Sequence, residues 1–260
     1  MSRRLGSHRR TQDKRRRRWF AAGLVIAALT AVLTNAPALH LLGSEPVRVF
    51  PAEHRGTPLA AVFLSGDMGF NFGLSGKVAG ALAARGLPVI GVVTPVAFAQ
   101  HRSAQEAQAI VERALTTAIA TTGAQHVILI GESYGADIVA TVAPRLPPEE
   151  RAHLAAVTLI VPEKDVYFRA DPSGLAYLGK PDAQPAPALR LLHAPPLVCI
   201  HGLEETESLC PALRGTSARV IGLPGGHYLQ HNPARLIATV TTAIDAIVPQ
   251  ARLASGPPAT

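Results

Sequence analysis

At 260 residues the chain is long enough to bury a full core in one domain, and with 48% apolar against 17% charged residues it is not a disordered protein. The formal charge of +7 is concentrated at one end: residues 1–18 hold nine Lys/Arg and one Asp, a local +8, which leaves 16 Lys/Arg against 17 Asp/Glu for the rest. A nearly neutral body has no basic stripe to follow a phosphate backbone, which argues against nucleic acid as a partner.

The chain opens on Arg15-Arg16-Arg17-Arg18, an apolar run from Trp19 to Leu33, and Ala36-Pro37-Ala38. These are the basic, apolar and small-residue regions of an export signal, with cleavage expected after Ala38. Arg17-Arg18-Trp19-Phe20 is also a partial match to a twin-arginine signal. The run of 15 residues is short of the about 20 that span a bilayer, although weakly polar continuation to Leu42 leaves an uncleaved anchor as the alternative. Residues 1–42 are therefore read as signal or anchor, 43–248 as the folded domain and 249–260 as a disordered tail.

Residues 44–58 read as a polar, proline-punctuated approach. Leu59 to Leu64 then reads as a buried strand ending in Ser65-Gly66-Asp67-Met68-Gly69, followed by a helix-compatible stretch from Leu74 to Arg85. A glycine-rich loop between strand and helix offers backbone N–H groups, here of Asp67 or Met68, to a developing oxyanion; it is equally the form of an ordinary tight loop. Pro88 to Val93 is the next strand, and apolar residues at Ala107, Ile110, Val111, Ala114, Leu115 and Ala118 predict a helix over 103–122, ended near Gly123.

Val127 to Ala140 holds a G-x-S-x-G centred on Ser133, between an apolar run and a helix-compatible segment. A strand that turns abruptly into a helix presents its turn residue to solvent, and Gly131 and Gly135 relieve the crowding of so tight a turn. Ser133 is the candidate nucleophile, and the N–H of Tyr134 a second oxyanion donor. The alternation of strand and helix predicts an α/β fold, a mostly parallel sheet with right-handed crossovers and helices on both faces.

Residues 156–161 form another strand. From 162 to 192 periodicity fails, and Tyr167, Phe168 and Tyr177 fall among prolines; 163–192 reads as a short cap insertion over a pocket or as a surface excursion. Leu197 to Ile200 is a strand running into His201-Gly202-Leu203-Glu204-Glu205-Thr206-Glu207, and Arg219 to Leu223 is the last, emptying into Pro224-Gly225-Gly226-His227. Asn232 and Pro233 read as the N-cap and first residue of a final helix.

Serine, acid, histidine, each after a strand, is the chain order of the α/β-hydrolase triad. His227 would take the Ser133 proton and return it to the leaving group. An acid would orient the imidazole: Glu205 lies three residues after Gly202, Glu207 lies beside Ser208, and Glu204 is a third possibility, with spacing alone not deciding among them. Cys199 and Cys210 bracket that acidic loop; in an exported protein an even count suggests a bridge, against the rival of one buried strand cysteine and one unrelated thiol. No His/Cys/Asp cluster has metal-ligand spacing, and the chemistry calls for no cofactor.

Leu64-Ser-Gly-Asp-Met-Gly-Phe70, Ile130-Gly-Glu-Ser-Tyr-Gly-Ala-Asp137, Arg145-Leu-Pro-Pro148, the Cys199 to Pro211 loop and Leu223-Pro-Gly-Gly-His-Tyr228 together resemble the bacterial VirJ/AcvB virulence-associated proteins, over about 58–248. Met68 stands where the family's loop usually has glycine, and Glu207 where it often has aspartate. The resemblance implies an α/β-hydrolase fold in the periplasm, and either hydrolysis of aminoacylated phosphatidylglycerol, such as lysyl-phosphatidylglycerol, at the outer face of the inner membrane, or work with the proteins of a type IV secretion system. Asp137 is expected to support the elbow, or else to face a substrate amine.

Overall fold

The computed structural model describes residues 5–35, 39, 42–52 and 58–247, and in it the apolar runs become strands. These are β1 (Val47–Phe50), β2 (Leu59–Leu64), β3 (Val89–Val92), β4 (His126–Glu132), β5 (Leu154–Ile160), β6 (Leu197–Gly202) and β7 (Arg219–Leu223). They pair in one sheet in the order β1-β3-β2-β4-β5-β6-β7. All pairings are parallel except β1 with β3.

Strands covered on both faces read as continuous apolar runs because neither face meets water. In β2 every residue is buried, and successive side chains point to opposite layers: Ala60, Val62 and Leu64 join one core, Leu59, Ala61 and Phe63 the other. The helices are α1 (Leu5–Thr34), α2 (Ser75–Ala84), α3 (Thr94–Ala97), α4 (Ala104–Thr122), α5 (Tyr134–Val142), α6 (Pro148–Ala152), α7 (Ala186–Arg190) and α8 (Pro233–Ile247). The first core is closed by α4 and α5 and the second by α2 and α8. At the start of α4, Ser103 and Glu106 form a capping box, and Gly123 ends the helix at φ 70°.

The edge strand β1 lies inside the stretch read from sequence as an irregular approach. Its side chains are exposed or half-exposed and Pro46 and Pro51 flank it, so it carries neither an apolar run nor a buried alternation. Its place comes from antiparallel pairing with β3 alone. Residues 163–192 are tied to the body by hydrogen bonds from Arg102 N to Phe168 O (2.9 Å) and from Ala170 N to Phe98 O (2.9 Å), and Val166, Phe168 and Ala170 are buried. In α1, Trp19 and Phe20 are exposed. No helix among the described residues is long and apolar enough to cross a membrane. Ala36-Pro37-Ala38 and the tail 249–260 lie outside the described residues.

Candidate active site

Parallel strands end together, so the loops leaving β2, β4, β6 and β7 converge on one edge of the sheet. At the end of β4, Ser133 has φ 52° and ψ −125°, a backbone region that costs a non-glycine residue about 1–3 kcal/mol and persists only where its surroundings impose it. They do so here. Ser133 N donates to Ile160 O of β5 (2.8 Å), and Ser133 O accepts from Ala136 N (2.7 Å) in the first turn of α5. A Cβ on Gly135 would run into the carbonyl oxygens of Leu64 and Ser65, and one on Gly131 into the backbone of Gly135 and Ala136. The two glycines allow α5 to start against the end of β2.

Ser133 Oγ lies 2.8 Å from His227 Nε2, and His227 Nδ1 lies 2.6 Å from Glu205 Oε1. With the proton on Nδ1 donated to Glu205, Nε2 is left to accept from the serine hydroxyl. Burial works to lower the His227 pKa, but the hydrogen bond and charge of Glu205 outweigh it and hold the imidazole above its ordinary value. The Glu205 side chain is only 6% exposed, and its other oxygen accepts from Gly202 N at 3.3 Å.

The acid loop is stitched to the histidine loop: Leu203 N donates to Leu223 O (2.8 Å) and Glu204 N to Gly225 O (3.0 Å). A Cβ on Gly202 would strike the carbonyls of Gly225 and Gly226, which is how closely the two loops approach. Cys199 and Cys210 are bonded to each other and fully buried, closing the loop that carries Glu205. Of the other two acids, Glu204 is exposed, and Glu207 pairs with Lys164 Nζ at 2.6 Å with its side chain 59% exposed, so neither is brought to His227.

On the other side of Ser133, the loop after β2 turns by a bond from Gly69 N to Gly66 O (3.0 Å), with Asp67 and Met68 at its tip. Tyr134 is the first residue of α5, so its amide has no helical acceptor. Asp67 and Met68 border the cleft over Ser133 and Tyr134 borders a smaller cavity beside it, so the three residues expected as oxyanion donors lie around Ser133. The loop is anchored by a relay that sequence reading did not find. Gly66 N donates to Ser75 Oγ (3.0 Å), and Ser75 Oγ donates to Glu132 Oε2 at 2.5 Å. Burial raises the Glu132 pKa above the usual carboxylate range, with the Ser75 hydrogen bond opposing it. Glu132 is the first of the two variable residues of G-E-S-Y-G, so its position was legible but its role was not.

Behind Ser133 sits a cavity of about 30 Å³ bordered by Asp67, Asp137, Glu163, Asp165, Tyr134 and Tyr177. Asp137 Oδ1 accepts from Glu163 N at 2.7 Å, and burial pushes the Asp137 carboxyl well above its ordinary pKa. Burial likewise raises Asp67 and Glu163, with the charge of His227 acting against it in both. Tyr134 Oη is buried without a hydrogen-bond partner among the described residues. Asp137 has a structural role, bracing the loop after β5 through Glu163 N, and it also borders the cavity. Tyr177, from the 163–192 segment, stacks on Tyr134 with ring centroids 6.3 Å apart. Among the described residues no group of three or more His, Cys, Asp or Glu is arranged to hold a metal.

The sequence profile of a family described as bacterial virulence protein (VirJ) matches residues 59–248. No curated protein matches the chain. Among solved structures, the fold is similar to Est1E from Butyrivibrio proteoclasticus (TM-score 0.57, 12% identity, covering 78% of this chain and 93% of that one). It is similar to the esterase domain of a Rhodothermus marinus protein (TM-score 0.53, 18% identity, 77% and 90% covered). It is also similar to XC6422 from Xanthomonas campestris, an α/β serine hydrolase without lid (TM-score 0.52, 17% identity, 78% and 89% covered). At these identities the likeness establishes the α/β-hydrolase fold and leaves the chemistry to the site.

Proposed function

This chain belongs to the VirJ family of bacterial virulence proteins, and on that premise we propose that it is an exported serine hydrolase that cleaves the ester of an aminoacyl-phosphatidylglycerol such as lysyl-phosphatidylglycerol. The observation that carries the hydrolase reading is the continuous relay Ser133 Oγ to His227 to Glu205, at 2.8 and 2.6 Å. Ser133 Oγ attacks the acyl carbon while His227 Nε2 takes its proton, and Glu205 stabilises the imidazolium. The carbonyl oxygen becomes an oxyanion against the amides of Asp67 or Met68 and of Tyr134. Collapse breaks the ester C–O bond, the lipid hydroxyl leaves with the proton from His227, and the acyl group stays on Ser133. Water then repeats the sequence with the same base and frees the amino acid.

The cavity behind Ser133 supports an acyl group bearing an ammonium. Carboxylates crowded by burial resist ionising together, and a cation of about that volume relieves them. The buried, unpartnered Tyr134 hydroxyl adds an acceptor for an N–H. The basic and apolar start of the chain and the buried disulfide support export to the periplasm.

The test is to incubate the protein and Ser133→Ala with p-nitrophenyl acetate and with lysyl-phosphatidylglycerol, following nitrophenolate and free lysine. Release by the parent alone is expected. Identical traces for both proteins on both substrates sink the hydrolase reading and favour a non-catalytic partner of a secretion system.

A further inference from the structure

Five large apolar side chains of the folded body are exposed on segments that line the cleft over Ser133. Met68 and Phe72 lie on the loop after β2, Leu175 and Leu178 on the turn whose Gly174 and Tyr177 border the cleft, and Tyr228 next to His227. Phe72 is 54%, Leu178 81% and Tyr228 68% exposed, and Tyr228 stacks on His231 with centroids 5.3 Å apart. Burying such side chains is favourable, and apolar surface gathered from three separate loops around one opening marks a contact surface.

We propose that this rim is the surface by which the protein docks on a lipid bilayer, with the cleft opening toward the headgroups. Two observations select lipid over other occupants. The rim projects apolar and aromatic side chains, the mixture that settles at the boundary of headgroups and acyl chains. The chain also enters the body beside it: the carbonyl of Leu42 lies 3.5 Å from where a Cβ on Gly69 would be. Leu42 follows the end of α1 at Thr34 by eight residues, a reach of at most about 28 Å. In the uncleaved chain, the anchor alternative, the exposed apolar side chains of α1, Trp19, Phe20, Leu24 and Ile26 among them, are therefore tethered next to the rim. Lipid that receives α1 is lipid the rim can reach. The inference rests on the proposed lipid-ester reading, because a cleft facing the bilayer needs a substrate that stays in it.

The chain has one tryptophan, so Trp19→Phe combined with Phe72→Trp places a single reporter on the rim of the full-length protein. Vesicles of phosphatidylglycerol and phosphatidylethanolamine, with and without brominated acyl chains, are the probe. Emission from position 72 is expected to shift to the blue on binding and to fall at least twofold with brominated lipid. Leu178→Trp in the same background reads the opposite side of the cleft and replaces the first reporter if that variant does not fold. Absence of quenching at both positions in vesicle-bound protein overturns the proposal, as does absence of vesicle binding. A blue shift without lipid that grows with protein concentration also overturns it, because a second copy is then the occupant. Ser133→Ala added to the reporter is expected to leave quenching unchanged, whereas a reporter protein with Ser133 intact that docks but releases no lysine fails the hydrolase reading and keeps the docking surface.

Discussion

The two sides of Ser133 use carboxylates in opposite ways. On one side a single carboxylate, Glu205, is nearly buried yet paired within 2.6 Å with an imidazole that can carry positive charge. On the other, Asp67, Asp137, Glu163 and Asp165 crowd a small cavity, and for the first three burial raises the pKa. Both patches are acidic and partly desolvated, so acidity alone does not distinguish machinery from pocket. The presence of an internal cation partner does: Glu205 has the imidazole beside it, whereas the cavity holds no cationic side chain among its lining residues and, in the function proposed, receives the ammonium of the substrate.

The largest test of that contrast lies in the acid loop. Glu205→Gln is expected to lower kcat about 10²–10⁴-fold, because the imidazolium loses its stabilising charge, while Glu207→Gln, which removes a surface pair with Lys164, should stay within about twofold. Equal small losses for both would remove this loop from the mechanism. Next in size is the disulfide. Replacing Cys199 and Cys210 with alanine releases a loop closed over 11 residues and should cost about 3 kcal/mol in denaturant unfolding, with kcat falling more than KM changes because Glu205 is no longer held against His227.

Asp137→Asn probes the other side. The preference for a lysyl ester over an uncharged ester of the same alcohol should fall about 10–100-fold, the scale of a hydrogen bond to a charged group. The same change should raise stability at alkaline pH. The folded-state pKa of Asp137 lies above its unfolded value, so its favourable contribution is present below about pH 4 and is lost as pH rises through the folded pKa. Asparagine carries no such penalty, so the gain in Tm over the parent should grow as pH rises above about 4; a gain that is flat with pH would show that Asp137 is not strained by burial.

The smallest effect is in the pH profile. His227 must be neutral to accept a proton, and its pKa is held above the ordinary 6.5, so the acid limb of kcat/KM should fall at a pH above 6.5. In Glu205→Gln burial stays while the two largest raising causes are lost, leaving only the charges of Glu163 and Glu132 to oppose it, so the limb of the residual activity should move to lower pH. A limb that does not move would separate Glu205 from the imidazole it touches.

Much of this was legible along the chain. Strands β2 to β6 showed because strands covered on both faces have no polar side to interrupt them, β7 showed through its short apolar run Val220-Ile221 although it is a half-exposed edge strand, and β1 did not because it is exposed and flanked by prolines. The nucleophile turn was legible because its glycines and serine are neighbours. Residues in one loop are different: Glu205 and Glu207 are two positions apart in a segment without periodicity, and neither spacing nor residue type separates them. The bonds from Leu203 and Glu204 to the histidine loop do.

What the sequence by itself determined was the strand-helix alternation, the order of serine, acid and histidine, and the cysteine pair around the acid loop, because each is written in local spacing or in order along the chain. Tertiary structure alone decided that Glu205 meets His227, that Glu132 and Ser75 hold the loop after β2, and that Asp67, Asp137, Glu163 and Tyr177 border one cavity. The cavity residues leave three different strand ends and an aperiodic excursion. Only the pairing of β2, β4 and β5 in one parallel sheet brings their side chains to a common point.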